Sequence, residues 1–365
     1  MNKGLKLIFP AALALVGLAA CGSSSLPAST SETPATVTLK AAHGYHATYA
    51  VKAAARGNPQ LVQTDVTYVG VLLEDDGTIV DLKVDVMQTK AYGVDATNTA
   101  LLATSVFTDT EDTKTKWDLL GAYGMKVASP ISAEWYEQAY ALEQYAAGKN
   151  VTTLIADLKG VGEEEVFQAD ITMHVDAFGE ALEVALLENN FREFDVLESE
   201  VADLKLGIGM SSSQDAKRTN VNFGTLVLDG ETVVAAEMDV LQVPYTITAV
   251  GDPVVYEVGV DATRAQVDTE NGIIKSKVTL EDAYNMAAAS PIGVEYYLQA
   301  QTLEEYLVGK TLDVAFAASA IEDDPSHGTV LADGATIGVT VGIADYIAIW
   351  EEAALISEGR VLPTV

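Results

Sequence analysis

Cationic side chains are scarce in this 365-residue chain: 21 lysines and arginines stand against 53 aspartates and glutamates, a formal net charge of −32. Affinity for a phosphate backbone is supplied by lysine and arginine, so nucleic acid is excluded as a partner and anionic membrane repels the body of the chain. Cysteine is nearly absent too, with Cys21 alone. That excludes disulfides, iron–sulfur ligation and haem attachment through Cys-x-x-Cys-His. Of the four histidines, only His43 and His46 are neighbours. On an extended strand their spacing puts them on opposite faces, and His174 and His327 lack companions, so no metal site is expected. Gly-x-Ser-x-Gly, Walker and His-Glu-x-x-His motifs are missing and no nucleophile has an assigned base, so no catalytic residue is proposed. Beyond the first twenty residues no apolar run approaches the ~20 residues a spanning helix needs.

At the front, Lys3 and Lys6 precede an uncharged apolar stretch that ends in Leu18-Ala19-Ala20-Cys21. A basic start and a short apolar core are the marks of a signal peptide. The last four residues are similar to the lipobox of bacterial lipoproteins, whose cysteine receives diacylglycerol and becomes the new N-terminus. Residues 1–20 are therefore predicted to be signal peptide and Cys21 the lipidated residue. Residues 21–36 form a flexible linker, because GSSSLPASTSETPA is small and polar and cannot bury enough apolar surface to order itself. The expected location is the extracellular face of the cell membrane, held by lipid. Cys21→Ala should then release the protein from the membrane fraction, since acyl chains supply about 0.8 kcal/mol per buried CH₂ and this acidic chain has no other sizeable membrane affinity. Retention of that variant, measured by fractionation, would refute the anchor.

The remainder contains an internal repeat. Lys114–Lys149 aligns without a gap on Lys275–Lys310, and about half of the paired positions are identical, among them Tyr123 with Tyr284, Met125 with Met286, Ser129-Pro130-Ile131 with Ser290-Pro291-Ile292, and Glu134 with Glu295. Upstream, DGTIVDLKVDV ending at Val86 matches GETVVAAEMDV ending at Val240. Downstream, Ile171–Phe178 matches Val339–Tyr346, with an insertion expected as a loop at Glu322–Gly328. Two tandem copies follow, residues 37–197 and 201–358, with a junction near Glu198–Lys205. No disulfide crosses the junction, so each copy is expected to fold alone. Within a copy, alternating strands precede a helix over Ala133–Ala147, capped by Ser132 and stopped by Gly148, with Trp135, Gln138, Ala139, Leu142 and Tyr145 on its core stripe. A short Thr-bearing strand and a last helix, Asp176 to about Glu188, complete it. Strands with segregated helices predict an α+β fold.

The order of an Asp-Gly turn with an alternating strand, then YGM, SPIS, EWYEQA and GK, then a Thr-bearing segment before a helix, resembles the FMN-binding lipoproteins of Gram-positive extracellular electron transfer, the PplA-like family. The resemblance runs over both copies and the lipoprotein front. It implies FMN joined through its phosphate to a threonine hydroxyl by a flavin transferase. It further implies electrons passing from membrane quinol-oxidising proteins to extracellular acceptors such as ferric iron. The family's acceptor motif, Asp-Gly-x-Ser-Gly-Ala-Thr, is whole in neither copy. Position before the last helix points to Thr172 and Thr340; Thr336 competes, because Asp333-Gly334-Ala335-Thr336 keeps the Gly-Ala-Thr string while its counterpart is Gln168. Tyr123, Met125, Tyr284 and Met286 are expected either to contact the isoalloxazine ring or to fill the core under their loop. Glu134 and Glu295 are expected in a helix's first turn. The rival expectation is a cofactor-free surface binding or adhesion lipoprotein on the same repeated scaffold.

Overall fold

Runs rich in Val, Leu and Thr separated by turn residues form antiparallel strands, and the computed structural model describes residues 34–52, 61–92, 114–161, 166–214, 218–244, 267–268 and 273–360. The expected signal peptide, Cys21 and nearly all of the expected linker lie outside the described residues. The first meander is β1 (Thr36–Lys52), β2 (Leu61–Glu74) and β3 (Ile79–Tyr92). Helices α1 (Lys116–Leu119), α2 (Trp135–Ala146), α3 (Val151–Lys159) and α4 (Asp176–Ala185) follow. Strand β4 (Phe191–Leu197) then returns to pair with β1 from Thr36↔Leu197 to Ala42↔Phe191. A 3-10 segment, Glu198–Asp203, leads into a second meander of β5 (Leu204–Gln214), β6 (Arg218–Asp229) and β7 (Thr232–Pro244). Two short strands, β8 (Val267–Asp268) and β9 (Ile273–Ile274), precede α5 (Lys277–Leu280), α6 (Tyr296–Leu307) and α7 (Leu312–Ala315). The hairpin β10 (Ile321–Asp324) and β11 (Gly328–Leu331), then α8 (Gly334–Ile337) and α9 (Ala344–Ser357), close the chain. The protein is thus mixed α+β with antiparallel sheets.

Local chemistry moved several expected boundaries. Helix α2 starts at Trp135, not Ala133, because Glu134 is its cap: Glu134 and Glu137 exchange reciprocal hydrogen bonds with backbone N–H groups as a capping box, while Ser132 sits at φ +53° in the preceding turn. The segments bearing Thr172 and Thr340 are irregular instead of strands, since buried glutamines, described below, satisfy their backbone N–H groups. The insertion expected as a loop is the β10–β11 hairpin. Among the described residues no helix is long and apolar enough to cross a membrane.

The meanders are buried on both faces. One face of β1–β3 packs Val69, Val71, Leu82 and Val84 against α2, α3 and α4. One face of β6 and β7 packs Leu226, Met238 and Val240 against α6 and α9. The other faces meet each other: Tyr45, Val66, Tyr68 and Met87 interlock with Ile208, Met210, Phe223 and Leu241, and the Tyr68 and Thr225 hydroxyls hydrogen-bond at 2.8 Å. Glycine makes the helix approaches possible. A Cβ on Gly44 would collide with the carbonyl of Ala181 in α4, and one on Gly209 with that of Ile349 in α9.

The halves also exchange arginines. Arg192 of β4 reaches Glu304 of α6 at 2.5 Å and Glu237 of β7 at 3.7 Å. Arg360, just beyond α9, reaches Glu143 of α2 at 2.7 Å and Asp85 of β3 at 3.6 Å, and lies 4.2 Å from the Trp117 ring centroid. All four acceptors are buried, and Glu143 and Glu304 correspond between halves: Glu143 accepts from the Val84 N–H and Glu304 from the Met238 N–H. Residues Ala35–Val365 accordingly form one compact unit.

Burial leaves a pH signature. It pushes Asp85 and Asp239 up to about 7, with Arg360 opposing at Asp85, and pushes Glu352 up to about 8. Unfolded carboxylates release their protons near pH 4, so the folded form binds more protons above that pH and these groups lose stability as pH rises through their folded values. Burial, then Arg192, lowers His43 to about 3, and burial lowers His46, which works in the opposite direction below the ordinary histidine value. Above about pH 6.5 only the carboxylates still act. The melting temperature should fall between about pH 6.5 and pH 8, on the order of 5 °C. Asp239→Asn should flatten the slope; a flat wild-type profile would contradict the raised values.

Candidate functional site

In the second half a cavity of about 330 Å³ opens between the strand floor and the helix starts, lined by Asn220, Gln242, Lys277, Met286, Tyr296 and Thr340 among others. Its size lies within the ~300–1,000 Å³ of ordinary small-molecule sites. Each lining group is placed by local structure. Ser276 caps α5 by accepting from the Thr279 N–H, which sets Lys277 at the first helical position. The Lys277 Nζ stands 4.8 Å from the Tyr296 ring centroid and 5.2 Å from that of Tyr284. Glu295 accepts from the N–H groups of Met286, at 2.7 Å, and Ala287, at 3.0 Å, fixing the loop that presents Met286. Tyr296 and Tyr346 share a hydrogen bond of 2.6 Å between hydroxyls, and burial raises both pKa values, keeping them neutral.

Thr340 is held by one residue. The Oε1 of Gln299 accepts from the Thr340 backbone N–H at 2.7 Å and from its hydroxyl at 3.1 Å, while Nε2 donates to Ser290 Oγ and the Val294 carbonyl at 3.3 and 3.0 Å. The first half repeats this arrangement. Gln138 Oε1 accepts from the Thr172 N–H at 2.7 Å, the Thr172 hydroxyl at 3.1 Å and the Met173 N–H at 2.9 Å, and Nε2 donates to Ser129 Oγ at 3.2 Å. With its hydrogen directed to the glutamine, each threonine oxygen keeps lone pairs for another partner. Both glutamines are fully buried. The sequence placed Gln138 on a core stripe without a role; the available signal was a polar side chain on that stripe, identical in the two copies.

The chain matches no family model, curated protein or solved structure.

The other expected site residues separate. Met286 lines the cavity, whereas Tyr284 is buried in the second core with its hydroxyl donating to Gln242 Oε1 at 3.1 Å. Tyr123 and Met125 pack half-buried on the first core, with Lys116 Nζ 4.9 Å from the Tyr123 ring centroid. Thr336 is exposed on α8 and is not among the cavity's lining residues. Glu134 caps α2 instead of lying in its first turn. His43 is buried between the sheets 3.9 Å from Glu237, His46 faces the side of α4, His174 is exposed, and exposed His327 bonds Asp324 at 2.9 Å and lines the cavity. Among the described residues no group of three or more histidine, cysteine, aspartate or glutamate side chains is arranged for a metal ion.

The donor set suits an anionic, partly aromatic ligand. Lys277 supplies the charge, Tyr296 and Met286 supply flat and polarizable surface, and the amides of Asn220, Asn222 and Gln242 supply polar contacts. The Thr340 hydroxyl offers an atom for covalent attachment in the same wall.

Proposed function

We propose that the protein is an extracytoplasmic, lipid-anchored flavoprotein built from two FMN-binding-like repeats, residues 37–197 and 201–358. FMN is joined through its phosphate to Thr340, and to Thr172 in the first repeat. The observation that carries this reading is the Gln–Thr pair: at both positions that sequence order assigns to the acceptor, a threonine hydroxyl is held 3.1 Å from a buried glutamine carbonyl, and Thr340 is among the residues lining a cavity of about 330 Å³. A flavin transferase would break the phosphoanhydride of a flavin dinucleotide and join the flavin phosphate to Oγ, with the nucleoside monophosphate leaving and the hydroxyl proton released, so that the chain gains FMN less one water.

Bound FMN supplies reversible electron transfer, and the protein supplies place and electrostatics. Gln299 orients the threonine oxygen, Lys277 offsets negative charge, and Met286 and Tyr296 form apolar walls. Covalent attachment answers a retention problem, since an anionic ligand on a chain of net charge −32 is repelled by its surroundings. Anchored through Cys21, the protein would hold such flavins where electrons from membrane quinol-oxidising proteins could reach extracellular acceptors such as ferric iron.

The test is the intact mass of the full chain after co-expression with a flavin transferase. A gain of one or two FMN units less water is expected, with the modified peptides containing Thr340 and Thr172. Modification at Thr336 would move the attachment site. A chain that never gains mass is the cofactor-free binding or adhesion lipoprotein.

A further inference from the structure

The two Gln–Thr pairs share a frame, but the residues at corresponding positions around them differ. On the strand floor of the second half, Asn220 pairs in register with Gln242, whose Nε2 donates to Asn220 Oδ1 at 3.1 Å. At the matching register position of the first half, paired with Gln88, stands Asp65. Asp65 is half-buried and accepts from Gln88 at 2.8 Å and from Gln63 at 2.8 and 2.9 Å. A neutral amide on one side is thus a carboxylate on the other.

A second, independent difference concerns hydroxyls. Tyr296 and Tyr346 both line the second cavity, and the alignment of the halves puts Trp135 and Phe178 in their places. The two tyrosine hydroxyls stand 2.6 Å apart, so one hydrogen lies between them and the other can be donated to whatever fills the cavity. Neither Trp135 nor Phe178 carries a hydroxyl, so the first half lacks this pair. Lys116 and Lys277 correspond and do not separate the sites. The remaining charged lining groups of the second cavity, Asp345 and His327, are exposed, and His327 is tied to Asp324. Water screens Asp345 far more than the half-buried Asp65.

Resting on the flavin reading, we propose that Asn220 and the Tyr296–Tyr346 hydroxyl pair make the second half the site of higher reduction potential, while Asp65 holds the first half lower. Reduction places negative charge on the ring. A hydroxyl donor and neutral amides stabilise that charge, and a nearby carboxylate opposes it. With both sites loaded, electrons entering at the first half come to rest on the second: the first flavin is oxidised as the second is reduced, and protons exchange with solvent.

The experiment is a spectroelectrochemical titration of the full chain after loading is verified by mass. Thr172→Val isolates the flavin at Thr340, and Thr340→Val isolates the one at Thr172; the Thr340-held flavin should have the higher midpoint. Tyr346→Phe, which installs the residue type the first half already packs, and Asn220→Asp should each lower that midpoint by about 30 mV, a tenfold change for a two-electron couple. Asp65→Asn should raise the midpoint of the Thr172-held flavin. If Thr340 alone is loaded, the Tyr346 and Asn220 variants decide by themselves. Equal or reversed midpoints, or a loaded chain whose midpoints these substitutions leave unmoved, overturn the proposal with the flavin reading intact. A chain that gains no mass sinks both.

Discussion

Arg360→Ala should lower the unfolding free energy by about 3–5 kcal/mol, although the residue lies beyond the last helix and close to the end of the chain. Its guanidinium donates at 2.7 Å to both Glu143 and the Val84 carbonyl, inside the opposite half. Removing it leaves Glu143 and Asp85 buried without a cation, an uncompensated penalty larger than the attraction the pair provides. Arg192→Ala should act alike through Glu304 and Glu237. Urea unfolding near pH 7.5 reads the effect, and the loss should shrink toward acid pH, where the stranded carboxylates take up protons. Fragments cut near residue 200 each lack the arginine they need and expose the face that carries Tyr68 or Phe223, so they should fold only when mixed. Wild-type-like stability of both arginine variants would show that the exchange contributes nothing. The shared core and the exchanged arginines argue against independent folding, which the complete set of elements in each copy suggests.

Thr340→Val should remove one flavin from the loaded chain, and Thr172→Val with Thr340→Val should remove all of it while circular dichroism is unchanged. Valine keeps the branched shape and removes the nucleophilic oxygen; Thr340→Ser should retain loading and Thr336→Val should be silent. Gln299→Leu gives a sharper check on positioning. It leaves the Thr340 N–H without its 2.7 Å acceptor and frees the hydroxyl to rotate, so loading at Thr340 should slow by roughly tenfold or more, because misplacing a reacting atom by about 1 Å can cost 10²-fold. Gln299→Glu keeps the acceptor oxygen and should restore part of the rate, which a merely structural loss would not allow. Full loading of the Thr172→Val, Thr340→Val chain would end the assignment.

The sequence by itself determined the features that depend on neighbours along the chain. Period-two alternation and the Asp76-Gly77 turn set the meander, the helical stripe of Trp135, Gln138 and Leu142 set α2, and the match of Lys114–Lys149 with Lys275–Lys310 set the repeat. It also placed His43 and His46 on opposite faces of β1, because strand geometry alone decides that. What depends on contacts between distant residues was not legible. Gln138 and Gln299 read as core, and only the fold brings their carbonyls to threonines 34 and 41 residues away. Glu134 read as a first-turn acid, yet it serves as the cap because its reciprocal bond with Glu137 outweighs Ser132. Tyr284 and Met286 sit in one loop with the same apparent prospects; packing sent the tyrosine into the core and the methionine to the cavity. The sharing of one core was the least visible feature. The inward faces of β2 and β6 look like any buried strand face, and the charges that cross between halves lie 112 and 217 residues apart. A buried carboxylate is stabilised by whichever cation the tertiary structure brings within reach, and sequence distance carries no information about that.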